Sequence, residues 1–254
     1  MVAVEARAAG QRIEQMKNGF LRKEKRTMLR SVTSLAGHKI GATDGTIGKV
    51  EGFLFYDSSW IIRYLVVDTG SWLPGRKVLL SPVSLTQPIT DAKILPVNLT
   101  REQIKTSPDI DTDKPVSRRA EIELHKHFDW PPYWTGSGFA GPVMGPSSKE
   151  KEQAGVAAEE RVGPLLRSSK EVIGYRIHAT DGDIGHAEDF IFDDESWAVR
   201  YLVVDTRNWL PGKSVLIAPQ RIAKISWSDS KIWIDLPKGQ IKDSPRYDPS
   251  VPVN

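Results

Sequence analysis

His178 and His186 bracket an acidic turn, Asp181-Gly182-Asp183. Imidazoles and carboxylates brought together across a hairpin are the donor set of a divalent-metal site or a proton-transfer pair. The positions that match these histidines in an earlier stretch of the chain are Gly41 and Lys49, so any such site is confined to one half, and a solvated turn is the stronger reading. His125 and His127 stand two apart on a predicted helix, point to different sides and make a poor metal pair. Arg63 and Asp68 return as Arg200 and Asp205. Five apart on a strand, the two members of each pair face opposite sides, so their partners must lie on neighbouring strands. The expected role is the anchoring of strand ends and turns, because charged groups beside buried sheet are usually paired. The chain has no cysteine, which removes thiol nucleophiles, thiolate metal sites and disulfides. Nucleophile elbow, phosphate loop and dinucleotide fingerprint are all missing, since the glycine pairs sit between strands and not before a helix. The sequence therefore predicts no enzyme, no cofactor and no metal.

These residues are positioned by a duplicated framework. Residues 37–82 realign on 174–219 at a constant offset of 137 without a gap, and 28 of the 46 positions are identical. Ala42-Thr43-Asp44-Gly45 returns as Ala179-Thr180-Asp181-Gly182, and Arg63-Tyr64-Leu65-Val66-Val67-Asp68-Thr69 as residues 200–206. Trp72-Leu73-Pro74-Gly75 returns as Trp209-Leu210-Pro211-Gly212, and Gln103-Ile104-Lys105 with Ser107-Pro108 as Gln240-Ile241-Lys242 with Ser244-Pro245. Each copy runs roughly 75 residues, a small domain.

Within one copy, Lys39 to Ala42, an Asp-Gly turn and Ile47 to Tyr56 predict a hairpin, since Asp and Gly tolerate the positive φ of tight hairpin turns. Trp60 to Thr69 is apolar on both faces, with Ile62, Tyr64 and Val66 on one and Leu65 and Val67 on the other, as in a central strand covered twice. Short runs at Lys77 to Leu80 and around Ile94-Leu95 precede a helical turn at Leu99 to Lys105. Several short strands with close turn signals predict a small antiparallel barrel or sandwich.

Between the copies, Ser117 to Phe128 has good helix formers and an N-cap in Ser117. Trp130-Pro131-Pro132-Tyr133-Trp134 follows, and three large aromatics are too apolar to remain in water. Trp130, Tyr133 and Trp134 are expected to dock, either on their own chain or on a partner. Trp72, Leu73 and Pro74, with Trp209, Leu210 and Pro211, sit in loops between strands. Two readings stand for them: interface anchors, where truncation costs about 2 kcal/mol or more, or plugs that close a barrel end or join the copies about a pseudo-twofold axis.

Residues 1 to 30 carry eight Lys or Arg against three Glu, a net of +5, which leaves the rest of the chain at −2 out of the total of +3. The expectation is a basic flexible tail over 1–28, with Met28 as an alternative start, followed by nearly neutral domains. The uncharged stretch Trp130 to Ser148 is broken by prolines and glycines and is read as a linker, not a membrane span.

The ordered set Asp-Gly-x-Ile-Gly, Arg-Tyr-Leu-Val-Val-Asp-Thr, Trp-Leu-Pro-Gly-[RK], Val-Leu-[LI]-x-Pro and Gln-Ile-Lys-x-Ser-Pro resembles the PRC-barrel family, over about 37–108 and again over 174–245. That family includes the cytoplasmic domain of the photosynthetic reaction-centre H subunit and the C-terminal domain of the ribosome-maturation factor RimM. The resemblance implies a mainly β chain with two small antiparallel PRC-type barrels in tandem, over 29–110 and 166–254, joined by a linker over 111–165 that holds the short helix and the aromatic segment. It implies much less about activity, and the expected function is that of a soluble bacterial adaptor, in the cytoplasm, that binds a protein partner or associates with itself as a pseudo-dimer of repeats or a homo-oligomer. A RimM-like RNA or ribosome factor and a peripheral part of an electron-transfer membrane complex are the alternatives; nearly neutral domains make nucleic acid the weaker partner.

Overall fold

The computed structural model describes residues 28–90, 92–112, 115–135, 166–206 and 213–249. The first copy begins with β1 (Leu29–Ser31) and α1 (Val32–Leu35), a single turn capped by the Ser31 hydroxyl. Then come β2 (Lys39–Ala42), β3 (Gly45–Tyr56), β4 (Ile61–Asp68), β5 (Lys77–Leu80), β6 (Ile94–Pro96) and α2 (Arg101–Lys105). The connecting helix α3 (Arg118–Phe128) follows. The second copy repeats the order with β7 (Leu166–Ser168), α4 (Ser169–Val172), β8 (Arg176–Ala179), β9 (Gly182–Asp193), β10 (Val199–Asp205) and β11 (Ser214–Ile217). It ends with β12 (Ile222–Ser226), β13 (Lys231–Ile234), α5 (Lys238–Lys242) and β14 (Arg246–Tyr247).

The Asp-Gly turns do what their chemistry predicts. Gly45 (φ 143°) and Gly182 (φ 129°) take a backbone conformation that side chains disfavour, and β2–β3 and β8–β9 run antiparallel away from them. Asp44 and Asp181 then accept from the backbone N–H groups of Arg101 and Lys238, which fixes the start of α2 and α5 against the turns. The central strand β4 is buried on both faces, from Ile62 through Val67 except for half-buried Arg63.

The chain is mainly β, in two sheets. One runs β5-β4-β3-β2-β6 and the other β12-β13-β8-β9-β10-β11-β14. Among the described residues each order is an open path and not a ring. In the first sheet β6 joins β2 in parallel, and beyond it the chain makes an isolated bridge between Leu85 and Val97, with the Thr86 N–H donating to the Pro96 carbonyl at 3.0 Å. Pro82 and Pro96 flank that region and have no N–H with which to extend a ladder.

The sequence reading did not anticipate that the first strand of each copy leaves its own sheet. β1 pairs antiparallel with β9, matching Leu29 with Asp193 and Ser31 with Ile191; β7 pairs with β3, matching Leu166 with Tyr56 and Ser168 with Leu54. The two registers coincide under the offset of 137. Where β4 meets β10, Ile61 bridges Ala198, the Ile62 N–H donates to the Trp197 carbonyl at 2.8 Å and the Val199 N–H to that of Trp60 at 2.7 Å. These paired relations describe a pseudo-twofold axis between the copies.

Side chains complete the seam. Phe53 approaches Phe192 at 6.1 Å and Phe55 approaches Phe190 at 5.5 Å, so one apolar core spans both copies. Trp60 (φ 56°) and Trp197 (φ 59°) hold left-handed backbone that bulky residues seldom adopt. Each stacks on a phenylalanine of its own copy, Trp60 on Phe55 at 5.2 Å and Trp197 on Phe192 at 5.0 Å. Among the described residues no helix is long and apolar enough to cross a membrane.

Candidate functional site

Helix α3 forms where predicted, with the Ser117 hydroxyl accepting from the Ala120 N–H at 3.3 Å and Asp129 ending it in the left-handed conformation (φ 55°). Its buried positions are Glu121, Leu124, His125 and Phe128, spaced i, i+3, i+4 and i+7. A carboxylate is thus placed on the apolar face, against β4.

The Glu121 carboxylate is only 1% exposed and is matched on several sides. The Tyr64 hydroxyl donates to its Oε1 at 3.1 Å, the Tyr133 hydroxyl donates to the same oxygen, and Arg118 Nη1 lies 2.8 Å from Oε2. His125 Nε2 is 2.9 Å from the Tyr64 hydroxyl. The Arg63 guanidinium lies 3.9 Å from the centre of the Tyr133 ring, and that of Arg118 4.7 Å from the Trp134 ring.

Burial dominates the electrostatics here. It raises the Glu121 carboxyl above the ordinary range, against the pull of Arg118 and the two tyrosine hydroxyls. It also pushes Tyr64 and Tyr133 well above the usual phenol value, with the Glu121 charge acting in the same direction. Burial lowers His125 and Arg63. A cavity of about 30 Å³ remains beside Arg63, His125, Pro131 and Tyr133, room for a water or two and not for a substrate.

The aromatic segment therefore docks on its own chain. Trp130 is buried and stacked on Phe128 at 4.4 Å, while Tyr133 and Trp134 are half-buried against His125. The pseudo-twofold mate of this face, on the second copy, is different. Arg200 and Tyr201 stand where Arg63 and Tyr64 stand, and there an open cleft of about 800 Å³ is lined by Trp60, Val199, Arg200, Tyr201, Pro219 and Ile222 among others. Beneath it, Ile191, Val203 and Leu216 form a small separate cluster closed by Leu29, Tyr201 and Tyr247. Their counterparts Leu54, Val66 and Leu79 belong to the main core.

No family model and no curated protein matches this chain. The site must be read from its geometry.

Trp72 is half-buried, packs against the core and lies under the Arg101 guanidinium at 5.0 Å. Its loop is tied by the Thr69 hydroxyl to the carbonyls of Leu73 (2.7 Å) and Arg76 (2.6 Å), leaving Pro74 exposed. The first WLPG loop thus folds onto its own copy. Trp209, Leu210 and Pro211 lie outside the described residues, as does the basic tail 1–27.

His178 and His186 do not converge on one site. His178 Nδ1 lies 2.7 Å from Asp183 with its ring stacked on Trp233, whereas His186 Nε2 lies 3.5 Å from buried Asp205 on the adjacent strand. Among the described residues no group of three or more His, Asp or Glu is arranged to hold a metal. Asp68 anchors a turn as anticipated, accepting from the Gly70 N–H at 2.9 Å, and Arg200 finds Asp193 on the neighbouring strand at 2.7 Å. Arg63 departs from the expectation, since its aromatic partner comes from the connecting segment and not from a neighbouring strand. Glu121 and Arg118 were missed by the sequence reading, although an Arg–Glu pair three apart with Glu in the apolar stripe was the available signal.

Proposed function

We propose that this chain is a non-enzymatic protein-interaction scaffold built from two PRC-type barrels in tandem, acting in the cytoplasm. The observation that carries the reading is the occupation of the outer sheet face of the first copy by the chain's own helix and aromatic segment. That face takes a polypeptide through a helix, a ring under an arginine and a hydroxyl-bound carboxylate. Such a contact is a protein-recognition mode, an amphipathic helix laid on an apolar surface. At that face the cavity beside Arg63, His125 and Tyr133 is only about 30 Å³, too small for a substrate.

In this reading the exchanged strands hold the two copies in one orientation, so that the second face is displayed at a set distance from the first. The partner surface moves from the WLPG loops to the second copy, because Trp72 is engaged within its own copy. The test is affinity capture from a native lysate with the intact chain beside an Arg200→Glu variant of equal mass in solution and equal thermal midpoint. A protein retained by the first and lost by the second supports the scaffold. An identical set of retained proteins, or specific turnover by the purified chain, overturns it.

A further inference from the structure

The two sheet faces are equivalent under the offset of 137, yet one holds a helix and the other is an open cleft. The seat itself is kept. Arg63, Tyr64 and Pro82 return unchanged as Arg200, Tyr201 and Pro219, and Trp197 at the first face returns as Trp60 at the second. The Arg200 side chain is 50% exposed, and its guanidinium is held by Asp193 at 2.7 Å.

The rim differs, and it differs in charge. At the first face the Arg118 guanidinium lies 5.3 Å from the Tyr56 ring. The residue that replaces Tyr56 on the second copy is Asp193, buried and held by Arg200 and by the Glu195 and Ser196 N–H groups, while exposed Glu195 replaces Ser58, so one acid stands where the arginine-led end of a helix arrives. Ala198 and Gln220 in place of Ile61 and Val83 make the second seat wider and more polar.

Resting on the scaffold reading, we propose that the cleft of the second copy binds a segment of another protein with the chemistry of the segment already seated on the first. That segment is an amphipathic helix led by arginines and followed by a Tyr/Trp–Pro tract. Its aromatic ring stacks on Arg200, a carboxylate accepts from the Tyr201 hydroxyl, and its leading arginines meet Glu195. The ion pair at the rim sets the orientation, and the ring on Arg200 is the anchor.

The probe is a fluorescently labelled synthetic peptide of residues 115–135 of this chain, titrated into the full-length protein. Saturable binding of one peptide per chain is expected, weakened tenfold or more by Arg200→Glu and weakened as salt screens the rim. Gln220→Arg, an exposed change at the mouth of the cleft that leaves the core untouched, is expected to weaken it as well, which keeps the test valid if Arg200→Glu misfolds. Absence of saturation at millimolar peptide overturns the proposal, as does binding indifferent to both variants. Self-association of the chain that Arg200→Glu abolishes would make a second copy the occupant and overturn the separate partner. If the peptide fails while Arg200-dependent capture from lysate persists, the helix chemistry is wrong and the scaffold reading stands.

Discussion

Arg30 and Asp194, 164 residues apart, form an ion pair at 2.9 Å, and the pseudo-twofold mate of this pair joins Arg167 to Asp57 at 3.9 Å. Both pairs clamp an exchanged strand onto the opposite copy. The copies are therefore joined by backbone ladder, ion pair and aromatic core together, and neither sheet keeps all its strands without the other.

Phe192→Ala should cost about 3–5 kcal/mol, the usual range for a fully buried phenylalanine. Because the Phe53–Phe192 contact crosses the seam, the loss should lower a single calorimetric transition for the whole chain. Two separated transitions, with only the second copy shifted, would show that the copies unfold independently.

Glu121→Ala should cost about 3–5 kcal/mol, since it leaves Arg118 and two tyrosine hydroxyls without their buried partner. Tyr64→Phe removes one hydroxyl and should cost about 1–3 kcal/mol. Urea titration followed by tryptophan emission checks both, with Glu121→Ala moving Trp130 and Trp134 toward a wetter spectrum before the main transition.

Acid should loosen the docked helix through His125. Burial depresses its pKa in the folded chain, so the folded state disfavours the proton that the unfolded chain accepts near pH 6.5. Stability from this group is present above that pH and is lost as pH falls below it. Glu121 acts with the opposite sign: its carboxyl is raised by burial, so its contribution is fullest below the unfolded value of 4.5 and is lost as pH rises through the folded one. Thermal midpoints across pH 4–8 should show a shallower acid-side fall for His125→Gln than for wild type, and a steeper one for Glu121→Gln.

Trp72→Ala should lower stability by about 2 kcal/mol, as for a partly buried large aromatic, while Trp72→Phe should keep most of it. Arg101→Gln should reproduce only the cation–π share, about 0.5–1 kcal/mol. Equal losses in both alanine and phenylalanine variants would mean that the ring does not plug this end of the sheet.

Gly185→Ala should disrupt the pairing of β9 with β10. Its φ of 144° is strained for any side chain, and a Cβ would overlap the carbonyl oxygen of Asp205, which is backbone and cannot swing aside. A loss of roughly 1–3 kcal/mol or more is expected in chemical denaturation. Gly70→Ala, at φ 56° with open space around it, should cost less.

Much of the local structure was legible in the sequence, because it follows from short-range chemistry. Asp-Gly placed the hairpins, a β-branched and aromatic run apolar on both faces placed β4, and Ser117 with its helix-forming run placed α3. The gapless offset of 137 determined that two copies exist and that Arg63 and Arg200 hold equivalent positions. The destination of Leu29–Ser31 was not legible, since any three-residue strand with matching backbone groups can extend either sheet, and only the geometry of the seam selects the opposite one. Nor was the fate of Glu121, whose charge reads as surface until Tyr64 from β4 and Tyr133 from the aromatic segment join Arg118 of its own helix around it. Tertiary structure likewise made the two faces unequal. The residues that form the seats are nearly the same, but a helix packs on one of them, and packing depends on what lies across the chain in space and not along it.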